Sequence, residues 1–137
     1  MKKNMAVKVV DRLFLVVYGA RAPSEDEWCD YLKSVEHHGV VSTTQLVVTD
    51  GGAPTSAQRR SLDDLLAGRY VPVAVVSGSF AVRAMVTTMS WFNWSIRAFP
   101  LGPEGLRDAL QYLAIPACRE ALIVRELNKL YRELYEV

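Results

Sequence analysis

Short runs of β-branched and aromatic residues alternate along this chain with segments that open on helix-capping residues, and this alternation constrains the fold more than any other feature. Leu13 to Tyr18, Gln45 to Val48 and Pro72 to Ser77 are the central runs. The unbroken Val-Ala-Val-Val core of the last suggests a central strand covered on both faces. Strands separated by helices need crossover connections and so lie parallel to their neighbours. The opening differs: Ala6 to Val10 and Leu13 to Tyr18 flank only Asp11-Arg12, the spacing of a tight antiparallel hairpin. The expectation is an α/β domain with a mixed sheet of about five strands and helices packed on it. Its order is ββαβαβαβα plus a C-terminal helix.

The helix boundaries are written in cap chemistry. Ser24-Glu25-Asp26-Glu27 is a capping box, and its acids suit the positive end of a helix dipole. Trp28, Tyr31, Leu32 and Val35 then recur at helical spacing, up to His37-His38-Gly39. Thr55 and Gln58 form a second capping box, opening a helix from Thr55 to Ala67 with Leu62, Leu65 and Leu66 as its buried stripe and Gly68 just past its end. A third helix runs from Ser79 to about Phe92, followed by a short strand from Ile96 to Phe99. Pro103 occupies the favoured first position of a fourth helix. Ile115-Pro116 ends it, and Ala117 to Tyr135 forms the last. The chain divides into a domain over 1–116 and this C-terminal amphipathic helix over 117–137.

Composition removes several functions. With 16 basic and 15 acidic residues in 137, there is no bulk charge for nucleic acid or an anionic membrane. The longest apolar run, Leu13 to Tyr18, is far too short to span a bilayer, so no stable membrane insertion is expected. Lys8, Asp11 and Arg12 interrupt any secretory signal. Cys29 and Cys118 stand far apart without metal-ligand spacing, so a cytoplasmic protein with reduced thiols is expected.

Several stretches resemble the bacterial SpoIIAA-like family, also described as STAS/SEC14 domain proteins. They are Leu13-Phe14-Leu15-Val16-Val17-Tyr18-Gly19, Pro23-Ser24-Glu25-Asp26-Glu27-Trp28, Thr49-Asp50-Gly51-Gly52-Ala53-Pro54, Val75-Val76-Ser77-Gly78-Ser79 and Ser90-Trp91-Phe92-Asn93. The likeness covers roughly residues 5 to 115 and rests on the order of the pieces. It implies a STAS-like, non-enzymatic regulatory or ligand-binding domain. In phosphorylated STAS antagonists an Asp-Ser pair leads into the helix after the third strand. Here that position reads Asp50-Gly51-Gly52-Ala53-Pro54-Thr55-Ser56.

This loop is the first candidate site. It joins a strand end to a helix N-terminus, where free amides and the dipole favour an anion. Gly51 and Gly52 would admit a ligand close to the backbone. Arg59, with Arg60, could pair with a phosphate on Thr55 or Ser56. The bland alternative is that Thr55 only caps the helix. Ser77 and Ser79 mark a second strand-to-helix turn, able to complete a pocket beside the first if their strands are neighbours. It too has a bland reading as a cap with a turn glycine.

The second candidate is the third helix, whose only charge from Phe80 to Phe92 is Arg83. Val82, Met85, Val86 and Met89 make one apolar face, with Trp91, Phe92 and Trp94 close by. Such a helix must be covered on several sides or meet something. Either the last helix covers it, or it forms a partner surface or a lining for an apolar ligand. The last helix carries Ile123, Leu127, Leu130 and Leu134 at heptad spacing. It either docks on the domain or pairs with a second copy in a homodimer.

No catalytic assembly can be drawn from His37, His38 and the scattered acids. No metal site or cofactor fingerprint is present. A receiver domain with Asp50 as phosphoacceptor lacks its acidic pair and its lysine. The expected function is a STAS-like regulatory module that binds a protein partner. A carrier or sensor of a small apolar ligand or lipid, SEC14-like in character, is the alternative.

Overall fold

The computed structural model describes residues 3–39, 44–67, 69, 71–90 and 95–135, with the side chains of 88–90 left aside. Five strands form one sheet: β1 (Met5–Val10), β2 (Leu13–Tyr18), β3 (Thr44–Thr49), β4 (Val73–Ser77) and β5 (Ile96–Pro100). Five α-helices accompany them: α1 (Glu25–His38), α2 (Ser56–Leu66), α3 (Phe80–Ser90), α4 (Pro103–Tyr112) and α5 (Glu120–Tyr135). A 3-10 turn over Ala117–Arg119 leads into α5. The fold is α/β with a mixed sheet, as the alternating pattern predicts.

Strand order in space is the order in sequence, β1-β2-β3-β4-β5. The β1–β2 pair is antiparallel, with Val10 opposite Leu13, and the other three pairs are parallel. Asp11 takes φ 55° in the hairpin turn, a left-handed conformation that Asp tolerates better than most residues. Each parallel crossover steps the sheet in one direction. With the usual single hand of such crossovers, α1, α2 and α3 must share a face.

The two cores follow from that rule. On one face Phe14, Val16, Tyr18, Val47 and Val75 meet Trp28, Tyr31 and Val35 of α1 and Val82 and Val86 of α3. On the other Leu13, Leu15, Val17, Leu46, Val48 and Val76 meet Ala109, Leu110 and Leu113 of α4 and four residues of α5. Strand β2 is buried along its whole length, which its continuous apolar run requires.

Both capping boxes are formed. Ser24 Oγ accepts from the Glu27 amide at 3.1 Å and Glu27 Oε1 accepts from the Ser24 amide at 2.8 Å. Thr55 and Gln58 repeat the exchange at 3.2 and 2.9 Å. Helix α2 ends with Ala67 in the left-handed region at φ 52°, so a non-glycine residue supplies the turn expected of Gly68, which lies outside the described residues.

Two expectations need correction, and one pair of alternatives is narrowed. The last helix does not cover α3, because α4 and α5 occupy the opposite face of the sheet. Its seam of Ile123, Leu127, Leu130 and Leu134 is buried in the domain's own core, so that stripe is already used within one chain. Finally, Leu62, Leu65 and Leu66 are only half-buried, and Gln58 is the buried residue of α2. An 11-residue helix carrying Arg59, Arg60, Asp63 and Asp64 has too narrow an apolar stripe to lie flat on the sheet.

Candidate functional site

The loops at the carboxyl ends of β2, β3 and β4 satisfy one another. The Gly52 amide donates to the Gly19 carbonyl at 2.9 Å and the Asp50 amide to the Tyr18 carbonyl at 3.3 Å. Thr49 Oγ1 accepts from the Gly51 amide at 3.1 Å and donates to the Gly52 carbonyl. A Cβ on Gly52 would stand 2.3 Å from the Arg21 carbonyl oxygen. The close approach that needs glycine here is made by the neighbouring loop, not by a ligand, which corrects that part of the expectation.

The remaining groups of the first candidate site are placed as follows. The Thr55 hydroxyl is engaged in its cap. Ser56 is exposed, and its hydroxyl accepts from Arg59 Nη2 at 3.2 Å. The Asp50 carboxylate accepts a hydrogen bond from Tyr135 at the end of α5. That bond pushes the Tyr135 hydroxyl up to about 12, because losing its proton would set two negative charges side by side. Strands β3 and β4 are neighbours, so the two turns do lie together. Ser77, however, is fully buried and works within the fold: it donates to the Thr49 carbonyl at 2.8 Å and accepts from the Ser79 amide at 3.1 Å. Ser79 Oγ caps α3 by accepting from the Val82 amide at 3.3 Å.

A monotonic strand order has no point at which successive crossovers diverge, so the sheet edge has no ready-made crevice of the doubly wound kind. A sizeable opening lies elsewhere. A cavity of about 590 Å³ separates the sheet from α2, with α1 and α3 as side walls. Val47, Val73, Val75 and Ile96 of the sheet, Leu62 and Leu66 of α2, and Val82, Met85 and Val86 of α3 supply apolar walls. Its size is typical of small-molecule sites, which run from about 300 to 1,000 Å³.

The cavity exists because α2 is held at one end. Gln58 Nε2 donates to the Pro23 carbonyl at 2.9 Å, and the Trp28 indole donates to the Gln58 carbonyl at 3.0 Å. These bonds fix the N-terminal turn of α2 to α1. Beyond it, Arg59, Asp63 and Asp64, with Arg69 after the helix, belong to the lining.

Buried side chains with polar atoms interrupt the apolar lining, among them Tyr18 of β2, Tyr31 of α1, and Gln45 and Thr49 of β3. The Tyr31 hydroxyl donates to Gln45 Oε1 at 2.5 Å. Burial pushes the Tyr31 phenol well above its ordinary range, although the bond to Gln45 pulls the other way. Burial likewise raises Tyr18, and nearby Tyr31 adds to the effect. Both phenols are therefore neutral donors at physiological pH.

Of the residues singled out in the sequence, Gly52, Arg59 and Met85 line the cavity. The side chain of Met89, and Trp91, Phe92 and Trp94, lie outside the described residues. Tyr18, Tyr31, Gln45 and the leucines of α2 were not singled out as site residues. One signal was available: Gln45 is a polar residue inside an apolar strand, at a position of the pleat that faces inward.

A second hollow of about 350 Å³ runs along edge strand β1, among Lys3, Lys8, Glu27, Asp30 and Glu133. Its charged lining suits water better than an apolar ligand. His38 Nδ1 lies 2.9 Å from the Ser34 carbonyl, and its ring packs edge-on against Phe14. Cys29 and Cys118 are exposed and unpaired. Among the described residues no three His, Cys, Asp or Glu side chains are grouped as metal ligands, and no helix is long and apolar enough to cross a membrane. No family model matches this chain, and neither a curated protein nor a solved structure matches it.

Proposed function

We propose that this chain is a non-enzymatic STAS-like module that carries or senses a small, largely apolar ligand held beneath α2. The 590 Å³ cavity carries the reading. Apolar walls of that extent favour a ligand that gives up little hydration on entry. An opening hairpin followed by alternating helices and strands agrees with the STAS-like order that the sequence resembles.

Native mass spectrometry of gently purified protein, with fluorescence titration of N-phenyl-1-naphthylamine, tests the reading. Retained small molecules, or saturable binding of the probe that Val75→Phe abolishes by filling the cavity, support it. A protein that neither retains a molecule nor binds the probe defeats it.

A second reading, a protein-partner module, draws on the exposure of Phe80 and Leu101. Leu101 lies beside Gly78, two residues before Phe80, so both apolar side chains flank the turn into α3. Ser56 is exposed at the first position of α2 and is the better phosphate acceptor there, since Thr55 is spent as a cap. Phosphopeptide mapping of protein from its native cells tests that switch, and a loop unmodified under all growth conditions would remove it.

A further inference from the structure

The apolar cavity contains donors that the fold leaves unused. Tyr18 is 6% exposed and Gln45 5%, and both line the cavity. Gln45 spends its carbonyl oxygen on the Tyr31 hydroxyl, which leaves both N–H donors of its carboxamide. Among the described residues the Tyr18 hydroxyl and the Gln45 amide nitrogen have no hydrogen-bond partner. Both atoms open on the space of the cavity, where water satisfies them until another acceptor takes its place. Two such groups in the wall of one cavity point to acceptors supplied from inside it.

The charges around the cavity narrow the ligand's chemistry. The buried polar side chains of the lining are two phenols, a carboxamide and the Thr49 hydroxyl, all uncharged. Its charged residues balance: two basic ones, Arg59 and Arg69, and two acidic ones, Asp63 and Asp64. An anion carried inside would lose its hydration and meet no net positive charge. A neutral oxygen would gain hydrogen bonds at much smaller cost.

We propose that Tyr18 and Gln45 are ligand-binding residues that donate hydrogen bonds to uncharged carbonyl-type oxygen on an otherwise apolar molecule. The inference rests on the cavity being a ligand site and specifies what that site reads. Selectivity follows from the unused donors: a hydrocarbon of the same shape leaves them unpaired, whereas a ketone, ester or amide does not.

Competition against N-phenyl-1-naphthylamine tests this with three matched compounds: octanophenone, octylbenzene and 4-octylbenzoate. The expected result at pH 7 is that octanophenone displaces the probe at least about fivefold better than octylbenzene, the ratio that one net hydrogen bond supplies. It should also outcompete 4-octylbenzoate. Tyr18→Phe removes only a hydroxyl without an internal partner, so the variant should fold normally. That variant or Gln45→Leu should reduce the ratio of ketone affinity to octylbenzene affinity.

Equal displacement by ketone and hydrocarbon would overturn the proposal, as would an advantage that survives both substitutions. Tighter binding of the benzoate would overturn the uncharged ligand class. In each of these cases the probe still binds, so the cavity reading stands. Failure of the probe and all three compounds to bind removes that reading, and this inference with it.

Discussion

The Trp28 indole donates to the main-chain carbonyl of Gln58 at 3.0 Å, joining the first turn of α1 to the first turn of α2. The Gln58 side chain returns toward α1 by donating to the Pro23 carbonyl at 2.9 Å. These contacts hold α2 by its N-terminal end while Leu62 and Leu66 stay half-buried over the cavity.

Gln58→Ala keeps the carbonyl that Trp28 uses but loses the cap to the Thr55 amide and the bond to Pro23. Leaving a buried carbonyl unpaired costs about 1–3 kcal/mol, and the lost half of the capping box adds to it. The urea midpoint should fall by a corresponding amount. Because the same residue anchors the α2 wall of the cavity, affinity for N-phenyl-1-naphthylamine should fall too. An unchanged urea midpoint would show that these bonds do not hold α2.

Adjacent glycines in the β3–α2 loop should respond very differently to alanine. A Cβ on Gly52 would meet two main-chain carbonyl oxygens, at 2.3 and 2.5 Å, and neither can move without shifting the β2–α1 loop. Gly52→Ala should therefore destabilise by more than about 2 kcal/mol or prevent folding. Gly51 has open space around it, and only its φ of 118° resists substitution, so Gly51→Ala should cost about 1 kcal/mol. Thermal denaturation of the two variants checks the order, which reverses if backbone conformation outweighs the clash.

Glu27 should make stability depend on acid pH. Burial by itself would raise its pKa, but hydrogen bonds from the amides of Ser24, Asn4 and Met5 outweigh that and hold it below the ordinary carboxylate range. A lowered folded-state pKa means that the contribution is fully present above the unfolded value of about 4.3 and is lost as pH falls through the folded one. Glu27→Gln should flatten the fall in urea midpoint in that acid window. An unchanged profile would assign the acid sensitivity to other carboxylates.

The sheet was legible because each strand is bounded by residues with one local role: Asp11-Arg12 for the hairpin, Ser24 and Thr55 for caps, Pro103 and Pro116 for a helix start and a break. These roles act over three or four residues and survive any tertiary context. The cavity was not legible in the same way. Its walls come from residues far apart in sequence, and its volume depends on how closely α2 approaches the sheet. The sparse Leu62-Leu65-Leu66 stripe hinted at that distance, and Gln45 marked a polar group facing inward. In the Asp50–Ser56 loop, Gly52 makes room for the neighbouring loop, a role that its local sequence does not distinguish from facing a ligand.

The two possibilities for α5 make opposite predictions about truncation. Ile123, Leu127, Leu130 and Leu134 are each at most 6% exposed and pack on the sheet face that carries Leu13, Leu15 and Val17. Polar contacts reinforce the docking: Lys8 Nζ lies 2.7 Å from the Glu126 carboxylate, Lys3 pairs with Glu133, and Tyr135 donates to Asp50. Each buried Leu or Ile contributes about 1.5–3 kcal/mol, so the four together rival the whole stability of an ordinary domain, about 5–15 kcal/mol. Deleting residues 117–137 should give an unfolded or aggregated product, read by loss of near-ultraviolet circular dichroism and cooperative melting. A folded, soluble monomer would show that the helix contributes association instead of core.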